Sequence, residues 1–211
     1  MRFVVRLGSL CFLLALSGCP RQSVDDDAGS DDAGPYDPAT GNRFTGEISL
    51  DDTRVMGTAP SSLRAGASAC RAPLLVRVSR AVDGDTIHVT GISEPTGDID
   101  VRFIGVNAPE IIHSAGDVNE CYGPEATVFT NQLTGHLVWL TFDAGCEDIY
   151  HRTLAYVHIG AGDGDLWQRQ LLRRGFARTL TVAPNDMYAP LLATDEMTAM
   201  TEGAGLWSAC M

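Results

Sequence analysis

A small β-barrel with helices packed against it, an α+β fold, is the class this 211-residue chain predicts. Three observations carry the prediction. Short runs from about residue 74 alternate apolar and polar residues at the strand period of two. Later runs change to the helical period and carry helix start and stop signals. The resulting order is three strands, helix, two strands, helix, helix, which suits a barrel of one sheet flanked by helices.

LLVRVSR (74–80) is the first strand and, after the turn signal AVDGDT, TIHVT (86–90) the second. Asp85, Ile87 and Val89 share one face by the period of two, so a carboxylate opens the inward side. The third strand spans 99–106, where the same period puts Arg102 beside Ile104 and Val106, also inward. A long loop covers 111–121. A helix is expected from Gly123, with Pro124 in its first turn, Glu125 complementing the helix dipole, and Ala126, Phe129 and Leu133 forming the apolar stripe up to Gly135. HLVWLTF is the fourth strand and RTLAYVHI the fifth. GDGDLWQRQLLRRG holds a short helix with Asp165 near its start and Gly175 after its end, and a last helix runs from about Met187 to Met200. Trp139, Trp167 and Trp207 are read as packing aromatics, His113 and His136 as surface residues, and Arg169 with Arg173 as a solvated helix face.

The sequence before residue 70 is of another kind. Arg2 and Arg6 precede the apolar run LGSLCFLLAL, so residues 1–18 read as an export signal. Leu16-Ser17-Gly18-Cys19 resembles a bacterial lipobox, with Cys19 the lipidated residue; an ordinary cleaved signal is the rival reading. Residues 19–69 are expected to be an acidic, Gly/Pro-rich disordered tether, because QSVDDDAGSDDAGPYDPATG has too little apolar surface to offset ordering. The chain would thus be exported and anchored to the cell envelope by its lipid. Pro20, which is not an acidic residue, favours the outer membrane, with the domain of residues 70–211 in the periplasm or at the surface.

Lysine is absent, and beyond the signal 13 arginines face 27 acids. That balance opposes tight non-specific nucleic-acid binding, where phosphate neutralisation supplies most of the affinity. Cys70, Cys121, Cys146 and Cys210 are an even set in an exported protein, so two disulfides are expected. Three pairings are open; Cys70–Cys210 with Cys121–Cys146 is the favoured one. Zinc is the weaker alternative, since the spacing holds no C-x-x-C and no histidine pair.

Asp85, Arg102, Glu110 and Arg152 are the charged residues that this layout brings together. Carboxylate and amide oxygens suit a hard cation such as calcium, paired guanidiniums clamp a phosphate, and a carboxylate can orient or deprotonate water. These are the parts of metal-assisted phosphodiester hydrolysis.

The stretch 74–207 resembles the staphylococcal (micrococcal, or thermonuclease) nuclease family. VDGDTI (82–87), VRFIGVNAPE (101–110), YGPEATVFT (122–130), the YxR of IYHRTLAYV (149–157) and the terminal GLW (205–207) carry the resemblance. It implies an OB-fold five-stranded barrel with three packed helices. It also implies a calcium-dependent nuclease that leaves 3′-phosphate ends on single-stranded or melted DNA and RNA. Carried over by position, Asp85, Asn107 and the Ala108 carbonyl would bind calcium and Glu110 would be the general base. Arg102 and Arg152 would bind the phosphate and stabilise the transition state, and Tyr150 would contact the substrate. No protein partner is implied, and the chain is read as a monomer.

The chain also departs from the family's pattern. Asn107 replaces the usual Asp, His151 the glycine between tyrosine and arginine, and Ile149 a lysine; RTLTVAPND lacks base-stacking tyrosines. These losses keep a rival function in view, a weak or inactive nuclease-like module that binds nucleic acid or protein. A purely structural envelope lipoprotein would leave the polar set unexplained.

Overall fold

The computed structural model describes residues 48–92, 98–112 and 118–210. The export signal, the Cys19 lipid site, the tether up to residue 47 and His113 lie outside the described residues.

Five strands close a barrel: β1 (Leu74–Ala81), β2 (Thr86–Gly91), β3 (Ile99–Phe103), β5 (Leu137–Thr141) and β6 (Thr153–His158), in the spatial order β1-β2-β3-β6-β5. All pairings are antiparallel except β3 with β6, where Val101, Arg102 and Phe103 lie beside Thr153, Leu154 and Ala155. The two short strands β4 (Gly105–Asn107) and β7 (Arg178–Leu180) form a separate ribbon. The expected OB-fold α+β class is the one observed.

Val76, Val78, Ile87, Val89, Val101 and Phe103 fill the barrel, each no more than 2% exposed. Three main helices pack on it: α2 (Gly123–Thr130), α3 (Trp167–Arg173) and α4 (Ala189–Glu202). Proline lies in the first turn of α2 and of α4, where its missing N–H costs nothing. Gly203 ends α4 in a left-handed conformation (φ 64). Two further short helices, α1 (Asp52–Gly57) and α5 (Leu206–Ala209), complete the described helical segments of α type.

The run 99–106 is not one strand. Gly105 takes a left-handed φ of 86, so the chain turns between β3 and β4. A Cβ there would also come within 2.5 Å of Leu192 Cδ1, so glycine is required twice over. Ile104 lies in that turn, so the period of two does not carry the face of Arg102 on to Val106. Arg102 pairs in register with Thr86, on the face away from the core residues Val101 and Phe103.

Residues 48–69 are packed structure rather than tether. Asp51 caps α1 by accepting from the Thr53 and Arg54 N–H groups, and Asp52 accepts from the Leu137 N–H at 2.9 Å. Val55 and Leu63 bury themselves against Leu137 and Trp139 of β5. The Trp139 indole donates to the Val55 carbonyl at 2.9 Å, and Arg54 pairs with buried Asp165. Period alone concealed this arm because it contributes isolated apolar anchors, not a stripe.

Disulfides join Cys70 to Cys146 and Cys121 to Cys210, so the favoured pairing is corrected. Cys70 and Cys210 are not clasped to each other; each is stapled to a segment in the interior of the sequence. Cys70 already lies at the Asp143 loop, where its N–H donates to the Asp143 carbonyl at 2.8 Å. A second correction concerns Arg169 and Arg173. Arg169 forms a bidentate pair with Asp195 of α4 at 2.7 and 3.0 Å, and Arg173 is only 7% exposed near Glu202. These arginines tie α3 to α4, because α4 covers the face that the sequence left open. Trp139 and Trp167 are core residues as expected, and His136 sits at the surface beside Asp52.

Candidate active site

The turn VDGDT sets the first wall of the site. A Cβ on Gly84 would lie 2.5 Å from the Ala108 Cβ and 2.8 Å from the Ala126 Cβ, so only glycine lets α2 and the 105–110 segment approach. Thr130 of α2 donates to the Gly84 carbonyl at 2.6 Å, fixing the turn from below. Asp83 accepts from the Asp85 N–H at 3.0 Å, and Asp85, 2% exposed, is held in turn. One Asp85 oxygen accepts from the Ala108 N–H at 2.6 Å. The other meets Arg102 and the Thr86 hydroxyl.

Arg102 spans the site. It pairs with Asp85 and donates to Asn107 Oδ1 at 2.9 Å, and its side chain is only 12% exposed. Burial lowers its pKa to about 10, with Asp83 and Glu110 opposing that shift and the Arg152 charge adding to it. The two guanidiniums thus feel one another, although they come from different strands.

Arg152 stands at the start of β6 after a tight turn. Asp148 organises that turn, accepting from the Tyr150 and Arg152 N–H groups on one oxygen and from Arg152 Nε on the other, at 2.8–3.0 Å. Burial alone would raise the Asp148 pKa; the Arg152 N–H, its guanidinium and the Tyr150 N–H together hold it below the ordinary value. The Arg152 guanidinium lies 5.5 Å from the centre of the Tyr150 ring. Tyr150 is 72% exposed, free to meet a ligand. His151, in the family's glycine position, has a left-handed φ of 64.

Glu110 is exposed, near enough to Arg102 for their charges to interact. Its N–H donates to Glu120 at 3.1 Å, and its carbonyl accepts from the Glu120 N–H at 2.8 Å, so Glu110 and Glu120 are held side by side. Arg102 and Arg152 share an open cleft of about 580 Å³ with Ile149, Leu180, Val182 and Asn185. Sequence reasoning named the two arginines and missed Asp148, whose signal was an acid four residues before Arg152. It also missed the apolar wall from β7, which has no periodicity to announce it.

The donors fit a hard cation in kind. Asp85, the Asn107 amide and the Ala108 carbonyl would each offer an oxygen, Asp85 and Ala108 from buried positions and Asn107 from a half-buried one. None of the described hydrogen bonds outside the regular elements ends on the Ala108 carbonyl. Among the described residues no three His, Cys, Asp or Glu side chains gather as a metal cluster, so neutral oxygens must complete the set. Arg102 competes with a cation for both Asp85 and Asn107.

Paired guanidiniums and oxygen donors at one end of an OB barrel define a protein that handles phosphodiesters. Comparison with known proteins narrows that class. Residues 100–209 match the model of the family described as staphylococcal nuclease homologue. A thermonuclease of Staphylococcus intermedius is 36% identical over 131 residues, covering 62% of this chain and 74% of the relative. A thermonuclease of Staphylococcus hyicus is 34% identical over 133 residues, covering 63% and 75%. The SPbeta prophage-derived endonuclease YokF of Bacillus subtilis is 37% identical over 140 residues, 63% of this chain but 44% of the relative. The chain belongs to the staphylococcal nuclease family and is a hydrolytic nuclease.

Proposed function

We propose that this nuclease cleaves single-stranded or melted DNA and RNA with calcium, leaves 3′-phosphate ends, and works tethered to the cell envelope through Cys19. The observation that carries the reading is the pair Arg102 and Arg152, held on separate strands by Asp85 and Asp148 around one open cleft.

Asp85, Asn107 and the Ala108 carbonyl would hold the cation, which when bound supplies a fixed positive charge for the phosphate and for a water. The chain's own residues do the rest. Arg152 grips a non-bridging oxygen, its direction set by the bond from Nε to Asp148. Arg102 offers its guanidinium from the other side, and the two oppose the charge that grows on the equatorial oxygens in the transition state. Glu110, exposed to solvent, accepts the proton of the attacking water. Tyr150 places its ring and hydroxyl beside the departing strand. The apolar wall of Ile149, Leu180 and Val182 receives an unpaired base without reading its edge, which suits single strands of any sequence.

One observation favours the non-catalytic reading: Arg102 already occupies Asn107 Oδ1 and Asp85, the oxygens a cation needs. Cleavage of single-stranded DNA and RNA by the oxidised protein, with calcium and with a chelator, decides. The nuclease reading expects cleavage that depends on calcium and falls about 10²–10³-fold or more in Arg152→Ala. A folded wild-type protein that binds the strand and leaves it intact would give the binding module instead.

A further inference from the structure

Tyr122 (φ 73) and His151 (φ 64) are the residues other than glycine that hold a left-handed backbone among the described residues. An L-residue pays about 1 kcal/mol or more there relative to glycine. Histidine reaches the region more readily than most, yet still at a cost. His151 recovers nothing by packing, since its side chain is 87% exposed. Its described partner is the Glu147 carboxylate, itself 56% exposed, and such a pair four residues apart is worth only a few tenths of a kcal/mol. The turn does not need the imidazole either, because Asp148 already binds the Tyr150 and Arg152 N–H groups. Glycine would serve the fold here at lower cost.

The position offers another reason. Glu147, Asp148, Ile149 and Arg152 all line the cleft, so the turn that carries His151 is one of its walls. Asp148 is neutralised by Arg152, while Glu147 would present a bare carboxylate to a phosphodiester passing Arg152. Ile149, 86% exposed on the same rim, supplies no charge. We propose that His151 is a substrate-binding residue: its imidazole covers Glu147 and contacts the backbone phosphate next to the one held by Arg152. As an imidazolium it donates from Nδ1 to Glu147 and from Nε2 to that phosphate. The charged groups around it are Glu147 in contact, Asp148 and Arg152 paired to each other, and the neutral Tyr150.

This inference rests on the nuclease reading. It is tested by KM and kcat on a single-stranded oligodeoxynucleotide at pH 6 and pH 8, with melting temperatures, for wild type, His151→Gly and His151→Arg. His151→Gly should raise KM about fivefold at pH 6 and less at pH 8, the weight of one exposed charge-assisted contact. Its kcat should stay within about twofold and its melting temperature should hold or rise as the strain leaves. His151→Arg should restore the wild-type KM at pH 6 and keep that value at pH 8. An unchanged KM in His151→Gly at pH 6 overturns the proposal, and so does a fall in melting temperature that accompanies the KM change. Wild type without any cleavage removes the nuclease reading, and the role of His151 goes with it.

Discussion

Asn107 sets the working charge of the site. An aspartate there would add a second formal charge to the donor set and would pair with Arg102 more strongly than the amide does at 2.9 Å. The two effects oppose each other, since a tighter Arg102 pair resists displacement by a cation. Calcium carries two charges to the guanidinium's one, so the cation gains more from the added carboxylate. Asn107→Asp should therefore tighten calcium binding about tenfold, read by titration calorimetry with no substrate present. Much at this scale was legible: Arg102 stood out as a guanidinium in a strand, and Asp85 as a carboxylate opening a core strand. The face of Arg102 was not, because its apolar neighbours Val101 and Phe103 are the core-facing residues of β3, while the run from Ile104 on belongs to a turn and a second strand. Asp148 was invisible for a different reason. Its role is to bind backbone N–H groups of a turn, and spacing between side chains does not encode that.

The strand β5 is buried at all five positions, and the arm is the reason. Val138 and Leu140 face the barrel core, while Leu137 and Trp139 face Val55 and Leu63. The continuous apolar run LVWL was itself a signal that both faces are covered. It could have corrected the reading of 48–69 as a tether. Val55→Ala should cost about 2 kcal/mol, by lost burial and the cavity left behind, visible as a lower melting temperature. KM and kcat at 25 °C should not move, since no arm residue lines the cleft. The helices were legible from proline and glycine at their ends, whereas β7, three residues long, has no pattern to find. The pairing of the four cysteines was likewise beyond spacing, because it depends on which loops the barrel brings beside its two ends.

At the scale of the whole molecule, buried His158 ties part of the stability to pH. His158 is 5% exposed, accepts or donates through Nε2 to Thr141 at 2.9 Å, and burial lowers its pKa to about 4. Unfolded, an imidazole takes up its proton near pH 6.5. Between those values the unfolded chain binds the extra proton, so stability is full above about pH 6.5 and falls as pH drops toward 4. The loss should approach about 3 kcal/mol by the bottom of that range. Denaturant unfolding of His158→Gln should show a flatter profile across the same window. The acidic balance read from composition survives in the fold as a reason for salt sensitivity. With so few cations at the cleft, each arginine carries a large share of the attraction for a polyanion, and that attraction is screened by added salt.

The two disulfides do more than brace the ends. Cys146 directly precedes Glu147 and Asp148, the segment that aims Arg152, and Cys121 follows Glu120, which holds the backbone of Glu110. One bond therefore ends beside the wall of the cleft that aims Arg152, and the other beside the backbone of Glu110. A reduced chain has neither bond, and those two places then rest on hydrogen bonds, packing and the Arg152–Asp148 ion pair. Reduction of the folded protein should therefore loosen the surroundings of Arg152 and Glu110 together, and cleavage should fall when a thiol reductant is added.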